Sequence, residues 1–199
     1  MNKIGRREFL RRSFITIGAA SILPTFIPKI VQAYSTPHPM LSPIIKETNL
    51  TFCQPLVQRK LTNIIVIHHV GGTNRDVSAS EIHQWHLANG WAGIGYHFVI
   101  RKDGTIERGR PMGAIGAHCY GYNQTSVGIC SAGDFETAYP TDAQLKSIGL
   151  MTAYLCQKYS LHPNNHTVFG HRDLNSTLCP GKNLYSQLNT LRNTAASLL

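Results

Sequence analysis

Repeats, low-complexity tracts and long apolar runs are all missing from this sequence, and charge is sparse. The 199 residues hold 42% hydrophobic and only 15% charged side chains, with ten acids against 19 lysines and arginines. Without a repeat, no array of binding modules is attached. The apolar run from Phe14 to Ile27 is short for a membrane span and is broken by Pro24, so no permanent transmembrane anchor is expected. After residue 33 no basic run alternates with aromatics, which argues against nucleic-acid binding despite the formal net charge of +9. What remains is enough apolar residue for one buried core, and the length suits a single domain.

The basic excess is concentrated at the start. "MNKIGRREFLRRSFITIGAASILPTFIPKIVQA" has a basic opening, an apolar stretch and a small residue at Ala33, the layout of a secretory signal over residues 1–33. "RREFLR", Arg6 to Arg11, resembles the twin-arginine motif, which implies the twin-arginine export machinery and a bacterial protein in the periplasm or secreted. Cleavage after Ala33 removes six basic residues and one acid, leaving 13 against nine, a net of +4. That excess suits an anionic cell envelope.

All five cysteines, Cys53, Cys119, Cys130, Cys156 and Cys179, lie after residue 33. In an exported chain an odd count sets one thiol aside, and two disulfides plus one metal ligand would balance it. Cys130 in the apolar "VGIC" reads as a buried free thiol.

Residues 34–60 carry four prolines and little periodicity, the mark of an extended arm. From residue 61 the elements sharpen. "NIIVIHHV" is a continuous β-branched run, as in a central strand buried on both faces. "SASEIHQWHLANG" is a helix with Ser78 and Glu81 spaced as a capping box and Gly90 as its stop, and the spacing Ile82, Trp85, Leu87 points Trp85 at the core. "GYHFVIRKDGTIERGR" makes two strands around Asp103-Gly104. "TSVGICSAG" and "HTVFGHRD" read as strands. "TDAQLKSIGLMTAYLCQKYS" is a helix with a second box at Thr141 and Gln144, and a last helix places Leu184, Leu188, Leu191 and Leu198 on one face. The class predicted is α/β, a mixed central sheet flanked by helices in one domain.

Ten histidines are present, and three positions bear on chemistry. His68 and His69 end the buried strand, where each imidazole needs a partner. Alternation does not choose between them, because both faces of that strand are apolar. His171 ends another strand, and Cys179 follows eight positions later in a loop before the last helix. Two imidazoles and one thiolate form a three-ligand zinc site with the fourth position open, the arrangement of catalytic zinc.

Four blocks then appear in order: "IVIHHVGGT", "EIHQWHLANGWAGIGYHFVIRKDGTIERGR", "GAHCYGYNQTSVGICSAGDF" and "FGHRDLNSTLCPGKNLY". Together, over about residues 61–188, the chain resembles the type 2 N-acetylmuramoyl-L-alanine amidases and the related peptidoglycan recognition proteins. The resemblance implies a zinc amidase domain over 61–199 with one Zn²⁺ per chain, held by His68, His171 and Cys179, and His69 as a neighbour only. It places Tyr96 beside the metal's water, polarising the substrate or steering protons. Thr177 stands where the phage members carry a lysine, as in the recognition-protein branch, and implies hydrogen bonding in place of a cationic acid. His118 and Asn123 match polar positions lining the family's groove. Arg110 falls where some members pair an arginine with a diaminopimelate carboxylate.

The reaction implied is metal-assisted hydrolysis of the amide between the lactyl group of N-acetylmuramic acid and L-alanine, with peptidoglycan or muropeptides as substrate and a monomer as the acting unit. Two alternatives stay open. A non-catalytic peptidoglycan-binding module would keep the fold and lose ligands. A cysteine peptidase would use Cys179 as nucleophile, helped by its place before a helix.

Overall fold

A continuous run of β-branched residues can be buried on both faces only if the strand lies inside a sheet covered on both sides. In the computed structural model, which describes residues 40–199, "IIVIHH" does this as β2, Ile64–His69, buried at all six positions. The expected export signal at 1–33 lies outside the described residues. Six strands form one mixed sheet: β1 Ile45–Lys46, β2, β3 Phe98–Ile100, β4 Ile106–Arg108, β5 Ser126–Ser131 and β6 Val168–Gly170, in the order β1-β4-β3-β5-β2-β6. The β3–β4 hairpin turning at Gly104 supplies the antiparallel pair, and the other pairings are parallel. The mixed sheet predicted from sequence is therefore present.

Side chains alternate across the sheet, and register sorts them. Ile65 and Ile67 face a core shared with α2, Asp142–Tyr159, through Ile148, Met151 and Leu155, and with Leu188 and Leu191 of α4, Leu188–Ser197. The opposite face carries α1, Ala79–Ala88, packed through Ala79 and Ile82, with the preceding Val77, on Val99, while Ile64 and Val66 meet Cys119, Phe169 and Leu174. Thr141 and Gln144 make the full capping box that their spacing predicts. At Ser78 only half forms: its Oγ accepts from Glu81 N, while the Glu81 carboxylate turns to Arg75.

Three expectations are corrected. Trp85 is not in the core but 38% exposed, under the Arg75 guanidinium. The inward stripe of α1 runs through Ala79, Ile82, His83 and His86 instead, and the two imidazoles accept backbone N–H bonds from Ile94 and Gly95. The final helix is interrupted, α3 Lys182–Tyr185 preceding α4, so Ala195 is buried and Leu198 is 40% exposed. No disulfide forms: all five cysteines are free, Cys53 exposed and Cys119, Cys130 and Cys156 buried on separate elements.

The described part of the 34–60 arm is integral to the sheet. Its Ile45–Lys46 pair forms the edge strand on β4, Leu41 N donates to Gln157 Oε1, and Gln58 bridges to Ala114. Arg59 anchors it further, donating to the Ala114 and Met112 carbonyls over the Tyr159 ring.

Candidate metal centre and cleft

Adjacent residues of a strand point to opposite faces, so His68 and His69 part company. His69 turns to the face of Ile65 and Ile67, where its Nδ1 accepts from Phe135 N at 3.1 Å. His68 lies on the other face, fully buried. The pairing of Ile67 with Gly170 between β2 and β6, carried on by one residue, brings His171 alongside it, with ring centroids 4.6 Å apart. His171 opens a short 3₁₀ turn, His171–Asp173, and the chain returns at Cys179, whose carbonyl accepts from Arg172 N at 2.8 Å. Arg172 also donates to the Leu178 carbonyl, tying the cysteine loop to the histidine turn. Cys179 Sγ accepts from His69 N at 3.4 Å and stands 3.6 Å from His68 Nδ1.

One ligand atom each from His68, His171 and Cys179 lies within 4.8 Å of the others. The set fits zinc. With Zn–S about 2.3 Å and Zn–N about 2.05 Å, the sulfur–nitrogen edge of a tetrahedron is about 3.6 Å, matching the His68–Cys179 separation. Protonation agrees. Burial, then the proximity of His171, lowers the His68 pKa well below that of free imidazole, and burial lowers His171, so both offer a lone pair. Burial pushes the Cys179 thiol up to about 12, so it holds its proton until a cation displaces it.

Each imidazole is turned by a second side chain. His171 Nε2 donates to Asn175 Oδ1 at 3.0 Å, which leaves Nδ1 free to ligate. Asn175 is itself held, its Oδ1 accepting from Cys119 Sγ at 3.2 Å and its Nδ2 donating to the Tyr120 carbonyl. His68 Nε2 meets His118 Nδ1 at 3.0 Å. Sequence reasoning missed Asn175, although its place four residues after His171 is within reach of that ring.

His171 borders two adjoining hollows and Cys179 one of them, with His68 buried behind. The first, of about 660 Å³, is walled by Trp91, Tyr96, His118, Tyr120, Asn175 and Thr177. The other is lined by the acids Asp134 and Glu136 together with Leu178 and Cys179. Tyr96, His171 and Thr177 border both. No lysine, arginine or acid lines the first hollow.

The remaining expected residues fall as follows. Tyr96 is half-buried with its ring 5.1 Å from that of His68, and desolvation raises its phenol well above the usual value, so it stays protonated at neutral pH. Thr177 is exposed at the junction, its Oγ1 accepting from Cys179 N at 3.2 Å. His118 and Asn123 border the first hollow. His118 is mostly spent on His68, and Asn123 Oδ1 accepts from the backbone of His118 and Cys119. Arg110 does not reach either hollow. It is 6% exposed, donates from Nε to Ile94 O at 2.8 Å and from Nη1 to Ile115 O at 2.9 Å, and stacks on Phe52.

The chain resembles known proteins in sequence and in fold. The family pattern Amidase_2, N-acetylmuramoyl-L-alanine amidase, matches residues 58–182. An endolysin of Klebsiella phage KP32 is 36% identical over 133 residues, covering 64% of this chain and 85% of the endolysin. Peptidoglycan-recognition protein SC2 of Drosophila melanogaster is 34% identical over 139 residues, covering 66% and 74%. Among solved structures, the endolysin N-acetylmuramoyl-L-alanine amidase LysCS of Clostridium intestinale superposes with a TM-score of 0.71 at 39% identity, over 77% of this chain and 98% of that one.

Proposed function

Because the chain belongs to the N-acetylmuramoyl-L-alanine amidase family, we propose that it hydrolyses the amide between the lactyl group of N-acetylmuramic acid and L-alanine in peptidoglycan, with one Zn²⁺ held by His68, His171 and Cys179. The observation that carries this is the convergence of two neutral imidazoles and one thiol within 4.8 Å, with His171 and Cys179 opening onto the adjoining hollows. Bound there, zinc supplies Lewis acidity, polarising a carbonyl and making hydroxide available at neutral pH.

The chain's own residues do the rest. Asn175 orients the His171 ring, and Arg172 holds the cysteine loop against the His171 turn. Tyr96 is kept as a phenol by burial, with its ring 5.1 Å from that of His68. It serves as donor to the negative charge that develops on the lactyl oxygen once its hydroxyl turns from the Cys130 thiol it bonds here. Thr177, at the border of both hollows, offers a hydroxyl to the reacting centre. Its own Oγ1 is already oriented by Cys179 N. Trp91 and Tyr120, both exposed on the wall of the first hollow, give a glycopeptide apolar surface to lie on.

A binding-only module would have no use for the triad together with Tyr96. A cysteine peptidase would need a lowered thiol pKa, and burial raises that of Cys179. The proposal includes action outside the cytoplasm, in the periplasm or secreted, as a monomer exported by the twin-arginine route. Among the described residues no helix is long and apolar enough to cross a membrane.

The test is release of soluble peptide from purified peptidoglycan, with a chelator and with zinc restored. Release that stops with chelation and returns with zinc is expected. Binding without release would favour the recognition module. Release that survives chelation but stops with a thiol alkylator would favour the peptidase.

A further inference from the structure

We infer that His118 and Ser126 form a positioning relay that selects which nitrogen of His68 faces the metal. The inference rests on the zinc site proposed above and goes beyond it, because it gives His118 a task other than touching substrate.

The relay is read from its far end. The Tyr122 carbonyl can only accept, so Ser126 Oγ donates to it, at 2.8 Å. Having given its proton, Ser126 Oγ faces His118 Nε2 as an acceptor, at 3.4 Å. A neutral imidazole carries one N–H and one lone pair, so His118 with its proton on Nε2 presents the lone pair of Nδ1. That lone pair faces His68 Nε2 at 3.0 Å and takes its N–H. His68 is left with its lone pair on Nδ1, the nitrogen 3.6 Å from Cys179 Sγ.

The backbone is shaped for this ring. A Cβ at Gly128 would stand 2.7 Å from His118 Cγ, and one at Gly116 would also collide with the ring. Gly128 lies beside Val66 and Ser126 beside Ile64 in the β5–β2 register, on the face that carries His68. Asn123 fixes the start of the same segment by accepting from His118 N at 2.8 Å. His118 is 8% exposed, with little surface left for a ligand. A metal-bound histidine whose second nitrogen is held this way ligates in one tautomer and one orientation, and losing such a partner typically costs about 10- to 100-fold in metal affinity.

Zinc release to a chromogenic chelator, from the purified chain without substrate, tests the relay. His118→Ala is expected to release zinc about 10- to 100-fold faster. His118→Asn, whose Oδ1 can stand near the lost Nδ1, should recover much of the difference, and Ser126→Ala should move a few-fold in the same direction. Long-range ¹H–¹⁵N spectra of the metal-free chain should show His68 as the Nε2–H tautomer. Should His118→Ala fail to fold, Ser126→Ala and the wild-type spectrum decide. An Nδ1–H tautomer at His68, a wild-type chain that retains no zinc, or unchanged zinc release in His118→Ala would each overturn the relay. No substrate enters these measurements, so a chain that holds zinc through the relay yet cleaves nothing would sink the amidase proposal alone.

Discussion

His68 Nδ1 and Cys179 Sγ, 111 residues apart in the chain, stand 3.6 Å from each other. Nothing local holds them there. The β2–β6 register sets His68 beside His171, and Arg172 draws the cysteine loop back onto that turn. The pair has the spacing of two ligands of one ion, so Cys179→Ser and His171→Ala should each lose stoichiometric zinc and lower turnover by more than about a hundredfold. Metal content of the purified variants checks this. Stoichiometric zinc in either variant would refute the ligand assignment.

Zinc uptake should release close to one proton. The imidazoles are already neutral, their pKa values lowered by burial, whereas the Cys179 thiol, at about 12, is protonated until the metal arrives. Since the bound form has lost a proton that the free form keeps, raising the pH favours binding, by about tenfold per unit between pH 6.5 and 8. Calorimetry in buffers of differing ionisation enthalpy measures the proton count, and a value near zero would mean that the thiolate already exists without metal.

Tyr96→Phe removes one oxygen and leaves the ring. Because burial raises the phenol's pKa, the hydroxyl is a donor throughout the neutral range. Loss of one such donor from a developing oxyanion costs about 10²–10³ in kcat. Turnover on a defined muropeptide should fall accordingly with zinc content unchanged. A variant within threefold of wild type would remove Tyr96 from the chemistry.

How far the sequence shows these features depends on whether each leaves a local trace. β2 and the Thr141–Gln144 box are legible because a β-branched run and a capping pair act over a few residues. His171 and Cys179 are legible as a pair of ligand types. Choosing between His68 and His69 is not, since both faces of β2 are buried and only the register with β6 distinguishes them. β1 leaves no trace because two residues at an edge have no period. Trp85 misleads because histidines at 83 and 86, satisfied by backbone N–H groups, occupy the inward stripe. Cysteine parity misleads because an odd total says nothing about distance, and the thiols sit on separate elements.

Arg110 should matter for stability and not for stem selection. Its Nε and Nη1 satisfy the Ile94 and Ile115 carbonyls, and it lines neither hollow. Arg110→Ala would strand two acceptors, at a cost of about 2–4 kcal/mol. Urea denaturation measures that loss. The ratio of kcat/KM for diaminopimelate and lysine stems should stay within twofold, and a selective loss of the diaminopimelate substrate would show that the guanidinium reaches the peptide.

Acid should unfold the chain through histidines that are buried neutral. Burial lowers the His97 pKa to about 3, and burial followed by the charge of Arg110 lowers that of His86 to about 4. His97 Nδ1 accepts from Gly128 N and its Nε2 faces the Ala114 carbonyl, while His86 Nδ1 accepts from Gly95 N, so neither ring can take a proton without breaking a bond. The unfolded chain takes up these protons near pH 6.5 and the folded chain only near 3 to 4. Stability is therefore fully present above about pH 7 and falls as pH drops through 6.5, by up to about 1.4 kcal/mol per unit for each fully buried ring. Urea midpoints of the metal-free chain between pH 4 and 8 measure the slope, and His97→Gln, which loses the titrating group, should flatten it.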